Sequence, residues 1–372
     1  MKVFLLAGEV SGDVAAAYLA RALRFLEPGV EVVGGGGERM RREGVRLVLD
    51  TSDWGVIGYL ESYLRVPIFA GRLPRVLQLI RRERPDVLVL VDFPGFNLAV
   101  ARRLSSLFPT VYYFPPMVYG RRPNRARKLA RLPVRVLAPF PFEAELYRAA
   151  GADVVFTGHP ALDWVRPERS REELCTLLGL DPAHPLVALL PGSRAQEIHA
   201  LLPAMVGAVR IARERVPGLQ AVIARASDSL KRLIARHAAD IPVIAHGTHD
   251  LLAAADAALV ASGTATLEAL ILGTPMAVAY RISKPTAWIA RRVATTPWIS
   301  LPNILAGTEV VREMLQERAS PQALAEELLR LLDPEHAGWM RRTLGALRER
   351  LGPPGALERS AREVLARARG MG

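Results

Sequence analysis

The stretch Ser262-Gly263-Thr264-Ala265-Thr266-Leu267-Glu268 lies between two apolar runs and reads as a strand end, a tight turn and a helix start. An earlier stretch repeats the pattern. Residues 186–190 are strand-like, and Pro191-Gly192-Ser193-Arg194 leads into an amphipathic segment that carries Glu197. Unpaired N–H groups and the positive end of a helix dipole make such turns favourable for phosphate. Arg194 can add a charge-assisted hydrogen bond. Glu268 falls four positions after Thr264, on the same helical face, where a carboxylate could accept from ribose hydroxyls. Two turns facing one ligand point to a nucleoside diphosphate derivative, held by Ser193, Arg194, Glu197, Ser262, Gly263, Thr264 and Glu268. The plainer reading of each turn is a capped helix start.

The first half carries a second set of candidates. Glu9, Ser11, Gly12 and Asp13 occupy a glycine-containing loop that enters a helix, a shape that lets backbone approach a sugar closely. Asp92 ends an apolar run and opens the turn Asp92-Phe93-Pro94-Gly95-Phe96-Asn97. Glu61, Asn97 and His159 could bond substrate hydroxyls. Structural alternatives stand beside these: Asp13 could stabilise a helix dipole, Asp92 could cap the next helix, Glu61 could be a solvated helix position, and His159, before Pro160, could fix a linker.

Positioning these residues requires alternating strands and helices. Strand-like runs at 3–7, 87–92, 111–114, 134–138 and 154–157, then at 187–190, 221–224, 243–245, 258–261 and 276–280, end in glycine-rich or acidic turns. Continuous apolar strands imply parallel sheets covered on both faces. The expected fold is α/β: a Rossmann-like domain over 1–165, a second over 166–340, and a helical segment over 341–372 that packs back on the first. Gly158 to Ser170 interrupts the pattern at the domain boundary. Ligands of open α/β sheets bind beyond the carboxyl ends of the strands, so a cleft between the two domains is expected, with hinge closure to exclude water. The glycine run 34–37 lacks the context of a dinucleotide fingerprint and reads as a flexible turn.

At 372 residues and 50% hydrophobic composition, the chain exceeds what one core usually holds. The net charge of +12 comes almost wholly from arginine, a bias that genome composition or heat adaptation produces as readily as function. Cys175 is alone, which excludes an intrachain disulfide and fits a reducing compartment. The run 3–7 is too short for a signal-peptide core, and no apolar stretch is long enough to span a bilayer. The seven histidines show no metal-ligand spacing and the carboxylates form no divalent site, so no metal or cofactor is expected. Arg121, Arg122, Arg125, Arg127, Lys128, Arg131 and Arg135 form a run without an acid. It suits anionic lipid head groups or an acceptor phosphate better than nucleic acid, because no base-stacking module accompanies it. The stretch 59–84 mixes apolar and basic residues as a membrane-contacting helix does, although core packing explains its apolar residues equally well.

Taken in order, AGEVSGD, IGYLE (57–61), RPDVLVLVDFPGFN, VYYFPP, RPNRARKLAR, PFE, GHP (158–160), LLPGSRAQEI, SGTATLEALILGTPMAVAYR, TAWIARR and ISLPNILAG with EVV resemble the lipid-A-disaccharide synthase family over nearly the whole chain. The resemblance implies a GT-B glycosyltransferase. Its reaction is an inverting transfer of diacylated glucosamine from UDP to diacylated glucosamine 1-phosphate, giving a β-1',6-linked disaccharide and UDP. It also implies a cytoplasmic enzyme peripheral on the inner face of the cell membrane, without a metal requirement. Oligomeric state stays open, with a homodimer as the candidate assembly. Where the family reads D-x-P-D-F-N, this chain has Gly95 in place of the second carboxylate, a suspected general base. Asp92 is then the nearest surviving carboxylate, with Glu9 and Asp13 as further catalytic candidates. Where the family has a tryptophan-rich stretch, this chain has Pro116-Met117-Val118-Tyr119-Gly120. Those departures leave two alternatives, a related transferase with another acceptor and a non-catalytic nucleotide-sugar or membrane binder. A UDP-sugar 2-epimerase shares the two-domain architecture and also cleaves the anomeric C–O bond, but its acidic and basic residues cannot be assigned here and the motifs point elsewhere.

Overall fold

The computed structural model describes residues 1–54, 66–118, 123–282 and 297–370. The chain forms two compact units, Met1–Asp163 with Leu351–Gly372, and Trp164–Arg350. In the first, β1 (Lys2–Ala7), β2 (Glu31–Gly36), β3 (Arg46–Asp50), β4 (Val87–Val91), β5 (Thr110–Tyr113), β6 (Val134–Ala138) and β7 (Asp153–Phe156) form one parallel sheet, ordered β3-β2-β1-β4-β5-β6-β7. The intervening helices are α1 (Val10–Leu26), α2 (Glu38–Arg42), α3 (Val66–Glu83), α4 (Pro94–Leu104), α5 (Pro123–Ala130), α6 (Pro141–Ala149) and α7 (Ala161–Trp164).

Side chains alternate along β1 as strand geometry requires. Val3, Leu5 and Ala7 join Leu19 and Leu23 of α1 in one core, and Phe4 and Leu6 join Val76 and Ile80 of α3 and Val100 of α4 in another. Both faces of the sheet are therefore buried. That explains why its strands read as continuous apolar runs rather than as alternating ones.

Two strands of this unit escaped the sequence reading. β2 ends in Gly34-Gly35-Gly36, and these glycines lie in the sheet rather than in a flexible turn. A Cβ at Gly34 would stand 2.0 Å from the Leu5 carbonyl oxygen, so the run permits close strand contact. β3 is half-exposed, and its apolar run is only Leu47-Val48-Leu49.

In the second unit, α8 (Arg171–Leu178) precedes β8 (Leu186–Leu190), α9 (Ala195–Arg213), β9 (Gln220–Ala224), α10 (Lys231–His237), β10 (Val243–Ile244), α11 (Thr248–Ala254), β11 (Ala257–Ala261), α12 (Thr264–Leu272), β12 (Met276–Tyr280), α13 (Leu301–Ala306), β13 (Glu313–Leu315), α14 (Pro321–Leu332) and α15 (Pro334–Glu349). Its parallel sheet runs β10-β9-β8-β11-β12-β13. The helix α15 buries Ala337, Met340, Leu344 and Leu347 within this unit. The return to the first unit thus begins at Leu351, later than the 341 read from composition. From there α16 (Ala356–Ala368) packs Ala361, Val364 and Leu365 into the α1 core. Asp163 fixes its start, accepting from the Gly355 N–H at 2.6 Å and the Leu357 N–H at 2.7 Å.

Part of the ISLPNILAG motif proves architectural. Glu313 is buried and accepts from the Ser300 N–H and hydroxyl and from the Asn303 amide, while Asn303 Oδ1 accepts from the Val310 and Val311 N–H groups. Each buried polar group finds a partner here, as burial demands.

Candidate functional site

Each sheet has one point where strand order reverses, between β1 and β4 in the first unit and between β8 and β11 in the second. Open α/β sheets bind ligands there, outside the carboxyl ends of the strands. The loops that sequence reasoning singled out emerge at these two points.

In the first unit, the chain leaves β4 through Asp92 and Phe93, both left-handed at φ 49° and 50°. Side-chain-bearing residues avoid this region, at a cost of about 1–3 kcal/mol each, and the surroundings must enforce it. They do so through the Asp92 main chain. Its N–H donates to the Tyr113 carbonyl at 3.0 Å, and its carbonyl accepts from Tyr112 Oη at 3.0 Å and Asn97 Nδ2 at 2.8 Å. Gly8 completes the fit: a Cβ there would lie 2.3 Å from the Phe93 ring. Phe93 also packs with Trp54, Phe69 and Phe96, over which the Arg72 guanidinium sits 5.1 Å from the Trp54 ring.

This leaves the Asp92 carboxylate half-buried, with Ser11 Oγ 3.4 Å away. Burial pushes its pKa up, opposed by the Phe93 N–H and the Ser11 hydroxyl. A carboxylate with raised proton affinity at a ligand-binding edge has the character of a general base.

The other predicted residues of this unit divide. Glu9 is half-buried at the N-cap of α1, and Ser11 is exposed on the first turn. Gly12 lies against the β4 end, where a Cβ would be 3.5 Å from the Val91 carbonyl oxygen. Asp13 is buried and turns toward the neighbouring carboxyl end of β2. Its carboxylate accepts from the N–H groups of Gly37 at 2.7 Å, Arg39 at 3.0 Å and Met40 at 3.3 Å, which holds the start of α2. Asn97 is fully buried, and its amide donates to the Val91 and Asp92 carbonyls, so it secures the strained turn from within. Glu61 lies outside the described residues.

His159 is buried between Phe114 and Phe140, with ring centroids 5.4 and 5.0 Å away. Burial pushes its pKa down to about 3. Nδ1 accepts from the Ala161 N–H at 3.1 Å, so the neutral ring carries its proton on Nε2.

In the second unit, Gly192 at φ 112° turns the chain from β8 into α9. The turn is not empty. Glu197 reaches back to accept from the Ser193 N–H at 2.8 Å, the Arg194 N–H at 3.2 Å and the Arg194 guanidinium at 3.2 Å. A capping-box carboxylate thus already occupies the N–H groups expected to meet phosphate. Exposed Arg194 remains as the cationic element of this turn.

The neighbouring turn differs. Gly263 takes φ 152° with nothing within 4 Å of a Cβ, Thr264 is exposed, and no side chain caps α12. Thr266 Oγ1 donates back to the Gly263 carbonyl at 2.8 Å and stiffens the turn. Glu268, half-buried on α12, lies 3.8 Å from His249 Nε2 on α11, a neighbour that sequence patterns did not reveal. Because β8 and β11 pair directly, the two turns sit side by side.

Among the described residues, no group of three or more His, Cys, Asp or Glu could hold a metal ion. None of their helices is long and apolar enough to cross a membrane.

The family model for lipid-A-disaccharide synthetase matches residues 3–347. A lipid-A-disaccharide synthase of Syntrophus aciditrophicus is 41% identical over 371 residues, covering 96% of each chain. One from Trichlorobacter lovleyi is 37% identical, covering 98% of this chain and 97% of its own. Among solved structures, S. aureus MnaA with UDP superposes with a TM-score of 0.69 at 15% identity, covering 100% of this chain and 97% of that one. The glycosyltransferase VinC with dTDP gives 0.58 at 17% identity, covering 100% of each chain. At such identities these structures attest to the two-sheet GT-B fold alone. The chain belongs to the lipid-A-disaccharide synthase family, UDP-sugar glycosyltransferases that act in lipid A synthesis.

Proposed function

We propose that this chain transfers a diacylated glucosamine from UDP to a diacylated glucosamine 1-phosphate, with inversion, to give a β-1',6-linked disaccharide. The observation that carries the acceptor half is Asp92: a carboxylate of raised proton affinity, held by enforced backbone strain at the switch point of its sheet. The acceptor O6 attacks the anomeric carbon as its proton passes to Asp92. The bond from that carbon to the diphosphate oxygen breaks, and UDP leaves.

The leaving charge falls to the second unit. The exposed turn at Gly263 and Thr264, with an uncapped helix behind it, is the favoured diphosphate seat. Arg194 neutralises the departing UDP, Glu197 keeps Arg194 at the turn, Ser193 and Ser262 flank the diphosphate, and Glu268 takes the ribose hydroxyls. On the acceptor side, Ser11 holds Asp92 in register, Gly12 lets the backbone approach, Glu9 borders the acceptor seat, and the His159 Nε2–H offers a proton-independent donor to a sugar hydroxyl. We assign no metal or cofactor to the reaction, since arginine and helix-start dipoles supply the charge stabilisation.

The acylated substrates place the work at a cytoplasmic membrane surface, where exposed Arg127, Lys128 and Arg131 suit anionic head groups. Homodimerisation belongs to the same proposal and is read by light scattering. The test of the reaction is UDP release coupled to product mass spectrometry, with both acylated substrates and EDTA present. Disaccharide from the native protein, lost in Arg194→Ala, supports the assignment. UDP-sugar binding without disaccharide overturns it in favour of another acceptor.

A further inference from the structure

Glu268, the carboxylate assigned to the ribose, has a companion that the proposed reaction does not use. His249 Nε2 lies 3.8 Å from Glu268 Oε1, and the two side chains are 28% and 22% exposed. Among the described residues, Glu268 accepts no hydrogen bond from the protein. A carboxylate so far withdrawn from solvent is costly unless a partner or a ligand satisfies it, so the placement of its one charged neighbour is informative.

His249 is the second residue of α11, a helix of seven residues that would be marginal on its own. Three anchors hold it. At its start, the Asp250 carboxylate, only 2% exposed, accepts from the Glu168 N–H at 2.6 Å, the Arg169 N–H at 3.1 Å and the Arg169 guanidinium at 2.9 Å. In its middle, the Leu252 carbonyl accepts from Thr274 Oγ1 at 2.7 Å. At its end, the Ala254 carbonyl accepts from the Arg171 guanidinium at 2.8 Å. Gly247, left-handed at φ 96°, makes the turn into the helix, where a Cβ would stand 3.0 Å from Asp250 Oδ2. Thr274 follows the Gly273 cap of α12, so one of these bonds ties α11 directly to the helix that bears Glu268. The His249–Glu268 spacing is thus set by main-chain anchoring on both sides.

We propose that His249 is a positioning residue for nucleotide binding: from the anchored α11 it engages one oxygen of Glu268 and keeps the other turned to the ribose, which gives the second unit a preference for ribonucleotides. An ionised carboxylate has two oxygens and accepts at both, so engagement by His249 leaves Oε2 for the vicinal 2′- and 3′-hydroxyls. Without His249, Glu268 keeps its charge and loses its orientation. Ordering the freed side chain when nucleotide binds then costs affinity. A site built to bond a hydroxyl also discriminates against the analogue that lacks it.

The inference rests on the ribose reading of Glu268 and not on turnover. Its test is calorimetric binding of UDP and of 2′,3′-dideoxy-UDP to the full-length protein. The native protein should favour UDP. His249→Ala should weaken UDP binding by about tenfold, the worth of one hydrogen bond to a charged group, and change binding of the dideoxy analogue by less than about twofold. His249→Gln, whose amide nitrogen can take the place of Nε2, should recover most of the UDP affinity. In the coupled assay His249→Ala should raise the donor KM by about tenfold with kcat unchanged, because ribose contacts are alike in the ground and transition states.

Equal weakening of both nucleotides in His249→Ala, undiminished UDP binding, or no recovery in His249→Gln would each overturn the inference. Glu268→Ala separates that failure from failure of the reading beneath it. If Glu268→Ala abolishes the preference for UDP and His249→Ala keeps it, the inference falls and the ribose reading stands. A preference that survives Glu268→Ala removes the ribose from Glu268, and the inference with it.

Discussion

Replacing Asp92 by asparagine should separate activity from stability. A positioned base contributes about 10²- to 10⁴-fold to such a step, or about 3–5 kcal/mol at 1.36 kcal/mol per decade. The amide that replaces the carboxylate could accept no proton, so kcat should fall by that range. The fold should not suffer. Asparagine tolerates the left-handed region better than most residues, which suits φ 49°. The Tyr112 and Asn97 bonds go to the main-chain oxygen and survive the change. The sign of the pKa shift points the same way. Asp92 is raised in the folded state, so its contribution to stability is complete below the unfolded value near 3.8 and is lost as pH rises through the folded one. An ionised Asp92 is therefore a net cost to the fold, and Asp92→Asn should melt at or above the native temperature. Steady-state UDP release and thermal unfolding, run on the same preparations, measure both quantities. A variant that keeps more than a tenth of native kcat, or that loses more than about 1 kcal/mol of stability, would refute the reasoning.

Three further changes follow from the same geometry. Gly95 is exposed at the second position of α4 and a Cβ there meets nothing within 4 Å, so Gly95→Asp should fold and gain about 0.5–1 kcal/mol from helix propensity and the dipole; with Asp92 as the proposed base, kcat should change less than about tenfold, and a gain of 10² or more would show that Asp92 does not suffice. Gly8→Ala would press a methyl group into the Phe93 ring and should cost about 1–3 kcal/mol in chemical denaturation along with kcat, whereas a native-like variant would contradict the enforced turn. Replacing Arg127, Lys128 and Arg131 together by alanine should weaken binding to anionic vesicles by roughly 100-fold at about 1 kcal/mol per residue, and native vesicle binding that ignores salt would sink the electrostatic contact.

The strands buried on both faces were legible because burial writes itself as uninterrupted apolar runs. Val134–Ala138 and Met276–Tyr280 match the sequence reading residue for residue. What hid was of two kinds. β2 and β3 lack the signal: one is built of glycines that allow close strand contact, the other is an edge strand with exposed side chains. The short β13 spends its glutamate on a buried network instead of presenting an apolar run.

The site shows the same division. Turn chemistry marked Asp92, Arg194 and Gly263 as candidates, and each lies in a turn that follows a strand of its sheet, because glycine placement and strand ends are local properties. Which polar residues are already committed is not local. Asp13, Asn97 and Glu197 looked available in sequence, yet they satisfy N–H and carbonyl groups as far as 91 residues away. In α3, Phe69, Leu73 and Leu77 pack against the core, which accounts for apolar residues that also suited a membrane contact.

The most direct test of the whole account is the structure of the product formed by the native protein from both acylated substrates, read by mass spectrometry and by NMR of the new anomeric centre. The account predicts one disaccharide, β-linked through O6, formed in step with UDP. An α linkage, free acylated glucosamine from hydrolysis, or an epimerised UDP-sugar would contradict a single displacement assisted by Asp92.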